Sequence, residues 1–245
     1  MKIIVDNDYE SMSAHAADQV TGLVKDCPNP LLCIATGDSP KGFYKYLIEK
    51  IKKEKIDISN WSFVGLDEWM GMNETDEGSC RYHLENDLLK ALDVLPNRVC
   101  FFDGKAKNIQ NEIEKTGKFI KEQGGIEVAI VGLGMNGHVG MNEPGTDPLL
   151  RSHVSEIDRI TQQVGQKYFT KSTEITHGIT LGIADIMEAR SVLLLINDAK
   201  KARIAREVLE EEISPDLPAS FLRNHKNFTV YLEKEAAQFL QKSNE

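Results

Sequence analysis

Short runs of apolar residues alternate with amphipathic stretches along most of the chain. The runs are rich in β-branched and aromatic residues, and they predict strands at Ile3–Val5, Leu31–Ala35, Trp61–Gly65, Val99–Phe102, Ile126–Val131, Ser191–Ile196 and Phe228–Leu232. Between the first two runs, apolar residues recur at helical spacing at Met12, Ala16, Val20, Leu23 and Val24. The same spacing predicts helices within Phe43–Lys52, Tyr82–Leu89, Ile109–Phe119 and Ala202–Leu209.

This alternation predicts an α/β fold, with a doubly wound, mostly parallel sheet that carries helices on both faces. Strands separated by helices pair in parallel through right-handed crossovers. A length of 245 residues, with 41% hydrophobic and 27% charged residues and no linker-like run, favours a single domain over residues 1–245. Ligands of such sheets bind beyond the carboxyl ends of the strands, so we expect the chemistry in the loops that follow the strands.

Charge and cysteine content narrow the choice of function. The formal net charge of -9 disfavours binding to nucleic acid or to an anionic membrane surface. No apolar run approaches the roughly 20 residues of a membrane span, and the amino terminus lacks a signal-peptide pattern. The four cysteines (Cys27, Cys33, Cys80 and Cys100) have neither metal-site pairing nor the density of a disulfide scaffold, which favours a reduced, cytoplasmic location and no metal.

The loop after the second predicted strand has the composition of a phosphate site. Thr36, Gly37, Asp38 and Ser39 lead directly into a predicted helix, so backbone N–H groups, hydroxyls and the positive helix end could face an anion. The pattern is not that of a nucleotide-binding P-loop. An ordinary strand-to-helix turn, capped by Asp38 or Ser39, explains this segment about equally well.

Two further loops carry candidate acid-base groups. Asp67 follows an apolar strand at the ligand-facing edge, where it could act as a base, although on this segment alone a cap of the following turn by Asp67 or Glu68 is favoured. In the segment 132–146, five glycines surround His138 and Glu143. His138 could exchange a proton and Glu143 could set its charge, or the histidine could make only a structural hydrogen bond. The glycines lack the dinucleotide spacing, so no nucleotide cofactor is expected.

Four motifs together resemble the glucosamine-6-phosphate deaminase and galactosamine-6-phosphate isomerase family, which is related more distantly to 6-phosphogluconolactonases. They are LDEW, GLGMNGHVGMNEPGT, HGITLGIADIMEAR and PASFLRNH, and the similarity extends from the first strand to about Phe228. Their order along the chain is more specific than any one of them. The phrases FVGLDEW, HGITLGIADI and PASFLRNH are more similar to the galactosamine-6-phosphate members.

The resemblance implies an enzyme that converts an amino-sugar 6-phosphate to a ketose 6-phosphate and ammonia without a cofactor. It implies that Asp67 moves a proton from carbon 2 to carbon 1, that His138 opens the sugar ring, and that Glu143 supports His138. It also implies that the phosphate is bound by Thr36, Gly37, Asp38 and Ser39 together with Lys167 and Lys201. Some members are hexamers, so a homo-oligomer is a further expectation.

The chain departs from the family pattern at several positions. Asn136 stands where well-known members have aspartate, so it can hold His138 by hydrogen bonding without adding charge. Lys167 stands where many have arginine, which keeps the charge and loses the bidentate fork. His153 and Ser155 replace two cations of an activator site, so we expect no allosteric control of that kind. His83 lies in the Cys80–Leu89 segment, which matches the family's mobile lid.

Two other functions remain open at this point. A lactone hydrolase of the 6-phosphogluconolactonase type would need a histidine to activate water and no carbon-2 base. A non-catalytic sugar-phosphate sensor would need the phosphate loop but not the acid-base set. The segment Asn142-Glu143-Pro144 resembles the deaminase branch, and the presence of Asp67, His138 and Glu143 together disfavours a sensor.

Overall fold

Ten strands and seven α-helices follow one another in the computed structural model, which describes residues 1–241. The strands are β1 (Lys2–Asp6), β2 (Leu31–Ile34), β3 (Ser62–Gly65), β4 (Asp67–Trp69), β5 (Val99–Cys100), β6 (Val128–Gly132), β7 (His153–Glu156), β8 (His177–Thr180), β9 (Ser191–Ile196) and β10 (Phe228–Glu233). The α-helices are α1 (Tyr9–Val24), α2 (Asp38–Glu54), α3 (Cys80–Leu84), α4 (Ile109–Glu122), α5 (Arg159–Gly165), α6 (Ile183–Met187) and α7 (Ala202–Glu210).

Seven strands form one parallel sheet in the order β1-β10-β9-β6-β2-β3-β5. All seven come from the apolar runs of the sequence, and the central strands β2, β6 and β9 are buried almost throughout. Parallel strands buried on both faces need continuous apolar sequence, which explains why the runs rather than an alternating pattern identified them. Their carboxyl ends lie along one edge of the sheet.

Two hydrophobic cores cover the two faces of this sheet. One contains Met12, Val20 and Phe43 from α1 and α2. The other contains Ile204 and Val208 from α7, together with residues of α6. The prediction of a doubly wound α/β domain with helices on both faces is therefore confirmed.

A second sheet, which the sequence did not predict, joins the first at Leu66. It contains three antiparallel strands in the order β4-β8-β7, and Asp67 pairs with Thr180 in it. These strands have only three or four residues each and include polar sequences such as His153–Glu156, so they carry no apolar run. The helices α5 and α6 were not predicted either, because seven and five residues are too few to show a helical period.

Several predicted boundaries differ from the observed ones. Helix α2 begins at Asp38, before the predicted Phe43, because Pro40 is tolerated in a first helical turn. Gly42 allows α2 to pack closely against α1, since a Cβ at this position would lie 2.6 Å from the Ser13 hydroxyl. The predicted helix Tyr82–Leu89 is divided into α3 and a π-helical turn at Glu85–Leu89. Strand β6 begins two residues after Ile126, and β5 ends two residues before Phe102.

Candidate active site

One cavity lies at the carboxyl ends of β2, β3, β6 and β9 and has a volume of about 470 Å³. The loops that follow these strands form its walls, as expected for a doubly wound sheet. Six of the predicted site residues line it: Thr36, Gly37, Asp38, Ser39, Asp67 and His138. Lys167 and Lys201 line it as well. The two remaining predicted residues, Asn136 and Glu143, lie behind His138 and contact it rather than the cavity.

Asp67 is the buried acid of the cavity, with 8% of its surface exposed. Burial raises its pKa to about 7, and the neighbouring Glu68 carboxylate adds to the rise. A hydrogen bond from the Cys80 thiol and the charge of His138 oppose it. A carboxyl group with this pKa can both accept and return a proton near neutral pH.

His138 is held by a set of polar groups on one side of its ring. Its Nδ1 lies 2.7 Å from Asn136 Oδ1, 3.1 Å from Thr161 Oγ1 and 3.5 Å from Glu143 Oε2. Because the Asn136 and Glu143 oxygens are acceptors, the network assigns the Nδ1 proton to this side. The Nε2 atom, which has no hydrogen-bond partner within residues 1–241, then remains for a ligand.

Asn136 and Glu143 form the support of this histidine. Asn136 Nδ2 donates to Glu143 Oε2 over 2.8 Å, so one side chain bridges the carboxylate and the imidazole. Burial alone would raise the pKa of Glu143, but the hydrogen bond and charge of His138, with help from Asn136, lower it below its ordinary value. Glu143 is therefore ionised at neutral pH.

The glycine-rich segment brings the backbone very close to the histidine ring. A Cβ at Gly134 would lie 2.2 to 2.4 Å from ring atoms of His138. The backbone N–H of Gly134 donates to the carbonyl oxygen of His138 over 3.0 Å, which closes the turn. A residue larger than glycine would displace the imidazole, which accounts for one glycine of the predicted pattern.

The opposite wall has the features of an anion site. Gly37, with φ 134°, directly precedes α2 and leaves the first backbone N–H groups of that helix near the cavity. Ser39 Oγ donates to Asn197 Oδ1 over 2.6 Å and lies 3.3 Å from Lys201 Nζ. The side chain of Asp38 does not favour an anion, because its carboxylate is itself negative. It forms an ion pair with Lys167.

Lys201 carries a positive charge in a partly buried position. Burial and, to a smaller extent, the nearby charge of Lys167 lower its pKa to about 8. Two cations and a helix amino terminus therefore converge on one wall of the cavity. Such a wall attracts a dianion, and a bound dianion would reduce the repulsion between the two cations.

The structure adds five cavity or support residues to those predicted from the sequence: Glu68, Cys80, Thr161, Tyr168 and Asn197. Asn197 directly follows β9 at the ligand-facing edge, so its position could have identified it. Cys80, Thr161 and Tyr168 reach the cavity through packing between distant segments, and no local pattern marks them. Glu68 does not line the cavity and was considered only as a turn cap.

The other positions singled out in the sequence lie outside this cavity. His153 and Ser155 are on β7, and His153 Nδ1 lies 2.8 Å from Arg151 O. His83 stacks edge-on with Tyr168 at 5.6 Å between ring centroids, next to the cavity. Within residues 1–241, no group of three His, Cys, Asp or Glu side chains could hold a metal ion. In the same range, no helix is both long and apolar enough for a membrane crossing.

Comparison with known proteins gives consistent matches over nearly the whole chain. The family model described as glucosamine-6-phosphate isomerases/6-phosphogluconolactonase matches residues 7–231. A glucosamine-6-phosphate deaminase of Oceanobacillus iheyensis is 34% identical over 239 residues, covering 97% of this chain and 96% of that protein. A putative deaminase, AgaI, of Escherichia coli is 36% identical over 221 residues, covering 90% of this chain and 87% of that protein.

Solved structures give the same grouping. A monomeric glucosamine-6-phosphate deaminase of the NagB superfamily superposes with a TM-score of 0.93 at 33% identity, covering 97% of this chain and 99% of that one. The 6-phosphogluconolactonase of Trypanosoma brucei superposes with a TM-score of 0.74 at 20% identity and covers 98% of each chain. The second similarity shows a shared fold.

Proposed function

Since the chain belongs to the family of glucosamine-6-phosphate isomerases and 6-phosphogluconolactonases, we propose that it is an amino-sugar 6-phosphate deaminase. It converts a hexosamine 6-phosphate and water to a ketose 6-phosphate and ammonia. The main support for the proposal is the composition of the cavity. It contains Asp67, with a pKa of about 7, and His138, and its opposite wall carries Lys167 and Lys201. Relatives with 33 to 36% identity are named as deaminases, whereas the lactonase fold is shared at 20%.

Ring opening is the first step of the proposed reaction, and His138 performs it. The imidazole donates a proton from Nε2 to the ring oxygen and takes up the proton that the carbon 1 hydroxyl releases, which gives the open-chain aldehyde and leaves His138 protonated as before. Glu143 stabilises the charged imidazole, and Asn136 holds the ring in its orientation. The paired support explains why a neutral asparagine suffices at position 136, since the charge is supplied by Glu143.

Asp67 then moves the proton that converts the aldose to the ketose. Its carboxylate removes the proton from carbon 2, His138 protonates the carbon 1 oxygen, and an enolamine forms. The same carboxyl group returns the proton to carbon 1, and the iminium nitrogen at carbon 2 gives a proton back to His138, which leaves a ketose imine. Water adds to that imine and ammonia leaves, so the carboxylate and the histidine return to their starting states.

The phosphate supplies binding energy at a distance from the reacting carbons. The amino terminus of α2, Ser39, Lys201 and Lys167 support the role of phosphate site that we propose for this wall. Phosphate binding there holds the open chain with carbon 2 beside Asp67. Lys167 must leave Asp38 to contact a phosphate, so that ion pair opposes binding slightly.

Two finer proposals concern substrate and location. We favour galactosamine 6-phosphate over glucosamine 6-phosphate because the phrases FVGLDEW, HGITLGIADI and PASFLRNH resemble that branch. One or two contacts to the carbon 4 hydroxyl would discriminate the two sugars.

Four free cysteines support the proposal of a cytoplasmic location. Whether the chain forms a homo-oligomer stays a prediction, and one solved relative is monomeric.

The test is an assay of ammonia and ketose 6-phosphate formation from both sugars by the purified protein. We expect turnover of at least one sugar, and the Asp67→Asn variant should lose nearly all of it, because an amide cannot accept the carbon 2 proton. In deuterated water, the ketose should carry deuterium at carbon 1. Hydrolysis of 6-phosphogluconolactone without ammonia release from either sugar would instead favour the lactonase, and phosphate-sugar binding without turnover would favour a sensor.

A further inference from the structure

Glu68 stands next to the proposed base and is the more deeply buried of the two, with 1% of its surface exposed. Its two oxygens accept four hydrogen bonds. Oε1 accepts from the backbone N–H groups of Trp69, at 2.8 Å, and Cys80, at 2.9 Å. Oε2 accepts from the Ser79 hydroxyl, at 2.7 Å, and from the backbone N–H of Arg81, at 3.0 Å. Three of the four donors therefore belong to the beginning of α3.

No cation neutralises this carboxylate in the described part of the chain. The guanidinium of Arg81 is directed elsewhere, to Glu85 at 2.9 Å and Glu74 at 3.2 Å. A buried carboxylate without a cation is costly unless its hydrogen-bonding capacity is filled, which the four donors achieve. Burial raises the pKa of Glu68, and these hydrogen bonds oppose that rise.

The beginning of α3 in turn contacts the cavity through Cys80. Cys80 lines the cavity together with Asp67, and its thiol acts to lower the pKa of the Asp67 carboxyl group. The hydroxyl of Thr36, in the phosphate loop, lies 3.5 Å from the same sulfur. Cys80 thus lies between Thr36 of the phosphate loop and Asp67, and the hydrogen bond from its backbone N–H to Glu68 fixes its position.

We propose that Glu68 is a positioning residue for the proton transfer, which anchors the beginning of α3 so that Cys80 holds the Asp67 carboxylate in a fixed orientation toward the substrate. This inference rests on the proposed deaminase function and adds to it a residue outside the cavity. The anchoring also keeps a negative charge beside Asp67. The base consequently holds its proton at a higher pH than it would alone.

Several titratable or charged groups face this pair from the surrounding elements. Glu68 is faced by Asp67 on β4 and by Cys80 and Arg81 on α3. Asp67 is also faced by His138 from the glycine-rich loop and lies within electrostatic range of Cys33, Tyr44 and Tyr168. Removing the charge of Glu68 lowers the pKa of Asp67, whereas loss of the Cys80 hydrogen bond raises it. The charge is the larger of the two influences.

The variant Glu68→Gln keeps the size of the side chain but places an amide group against the hydroxyl and N–H donors of Ser79 and Arg81. We expect kcat to fall at least about tenfold with KM within about threefold, since the substrate is bound but not aligned. The acid limb of the kcat/KM profile should move to lower pH by about half a unit or more. Glu85→Gln removes an ion pair of Arg81 from the same segment and should leave these quantities within about twofold of wild type.

Alkylation of Cys80, followed by mass spectrometry of its peptide, tests the anchoring without reference to the reaction. The thiol is 2% exposed, so it should react slowly in the wild type and in Glu85→Gln, and at least about tenfold faster in Glu68→Gln. Cys33, which lies in the core strand β2, should stay protected. If both cysteines become reactive, Glu68 serves the whole fold and the proposal is wrong.

The remaining outcomes also decide the proposal. Equal kcat, pH profile and Cys80 protection in Glu68→Gln and wild type would overturn it. If Glu68→Gln does not fold, Ser79→Ala removes a single donor, and it should increase Cys80 alkylation and lower kcat in the same direction; unchanged values would overturn the proposal. If the wild type releases no ammonia from either sugar, the proposed function fails on that measurement, while Cys80 alkylation still reports the anchoring.

Discussion

Asp67 and Glu68 are adjacent in sequence, yet their surroundings give them different chemical properties. Glu68 is surrounded by hydrogen-bond donors from the beginning of α3. Asp67 has fewer, and its pKa of about 7 follows from burial next to a neighbouring negative charge. The donors around Glu68 oppose the rise of its pKa, whereas Asp67, with a pKa of about 7, exchanges protons near neutral pH.

The pH dependence of turnover should report this difference. Asp67 must be ionised to remove a proton from carbon 2, so the acid limb of kcat/KM should lie near pH 7, where the carboxyl group loses its proton. The measurement is a profile between pH 5 and 9 in buffers of constant ionic strength. An acid limb near pH 4, the ordinary range of an aspartate, would contradict the assigned role of Asp67.

Lys201 offers a second test at the scale of single residues. Its ammonium lies 3.3 Å from Ser39 Oγ in the proposed phosphate site, whereas Lys200 is exposed. Lys201→Ala should raise KM for the phosphorylated sugar about tenfold or more, because a charged hydrogen bond to phosphate is lost. Lys200→Ala should have a much smaller effect. Equal KM values for both variants and wild type would mean that the phosphate binds elsewhere.

The proton on Lys201 should also affect binding at high pH. Burial holds its pKa at about 8, so the free enzyme loses this positive charge as the pH rises through that value. KM should then increase above pH 8, and the increase should be absent from Lys201→Ala. Bound phosphate favours the charged lysine and will move the change in the complex to higher pH.

At the scale of elements, the sequence predicted what depends on continuous apolar runs and little else. All seven strands of the parallel sheet were identified because each coincides with an apolar run, including the edge strand β1, where Ile3 and Val5 are exposed. Strands β4, β7 and β8 were not identified, because a run of three or four partly polar residues is too short to show a hydrophobic period. This difference affects the site directly, since Asp67 begins β4 and was first interpreted as a loop residue after β3.

The residues of the site divide in the same way. Thr36, Asp67 and His138 each follow a strand of the parallel sheet, so the general position of ligand sites in such sheets predicted them. Thr161 and Cys80 come from segments that reach the cavity only after the chain has folded. Their contacts with His138 and Asp67 depend on tertiary packing, which no local pattern encodes.

The turn after β6 gives a prediction at this scale. In Gly134→Ala, the new Cβ would overlap the His138 ring, so the imidazole must move out of its contacts with Asn136 and Thr161. We expect kcat to fall at least about tenfold with little change in the affinity for inorganic phosphate. Gly117→Ala, on α4, meets no atom within 4 Å and serves as the control. Wild-type turnover in Gly134→Ala would show that the position of the ring is not critical.

At the scale of the whole molecule, burial of an acid in the cavity has a cost in stability. Holding the pKa of Asp67 at about 7 instead of 3.8 means that the folded protein binds more protons than the unfolded chain between these values. Stability is therefore lost as the pH rises through this range. Above pH 7 the loss for this one group amounts to roughly 4 kcal/mol.

Asp67→Asn should accordingly be more stable than wild type in alkaline solution while being inactive. Its Tm at pH 8 should exceed that of wild type by several degrees, and at pH 4 the two should be equal, since the carboxyl group is then protonated in the folded protein. Asp38→Asn, at an exposed position, should show no such gain at pH 8. A lower Tm for Asp67→Asn at pH 8 would contradict the inferred cost of ionisation.

The position of β1 in the sheet has a consequence for synthesis on the ribosome. This strand, the first to be made, pairs only with β10, which contains residues 228–233, and α1 packs on the same late strand. Residues 2–24 thus lack their sheet partner until nearly the whole chain has been translated. Closing so long a loop is slow, and the exposed apolar segments meanwhile invite contacts with chaperones. A nascent chain arrested before residue 228 should therefore be cleaved by protease near its amino terminus, and one arrested after the last strand has left the ribosome should be protected there.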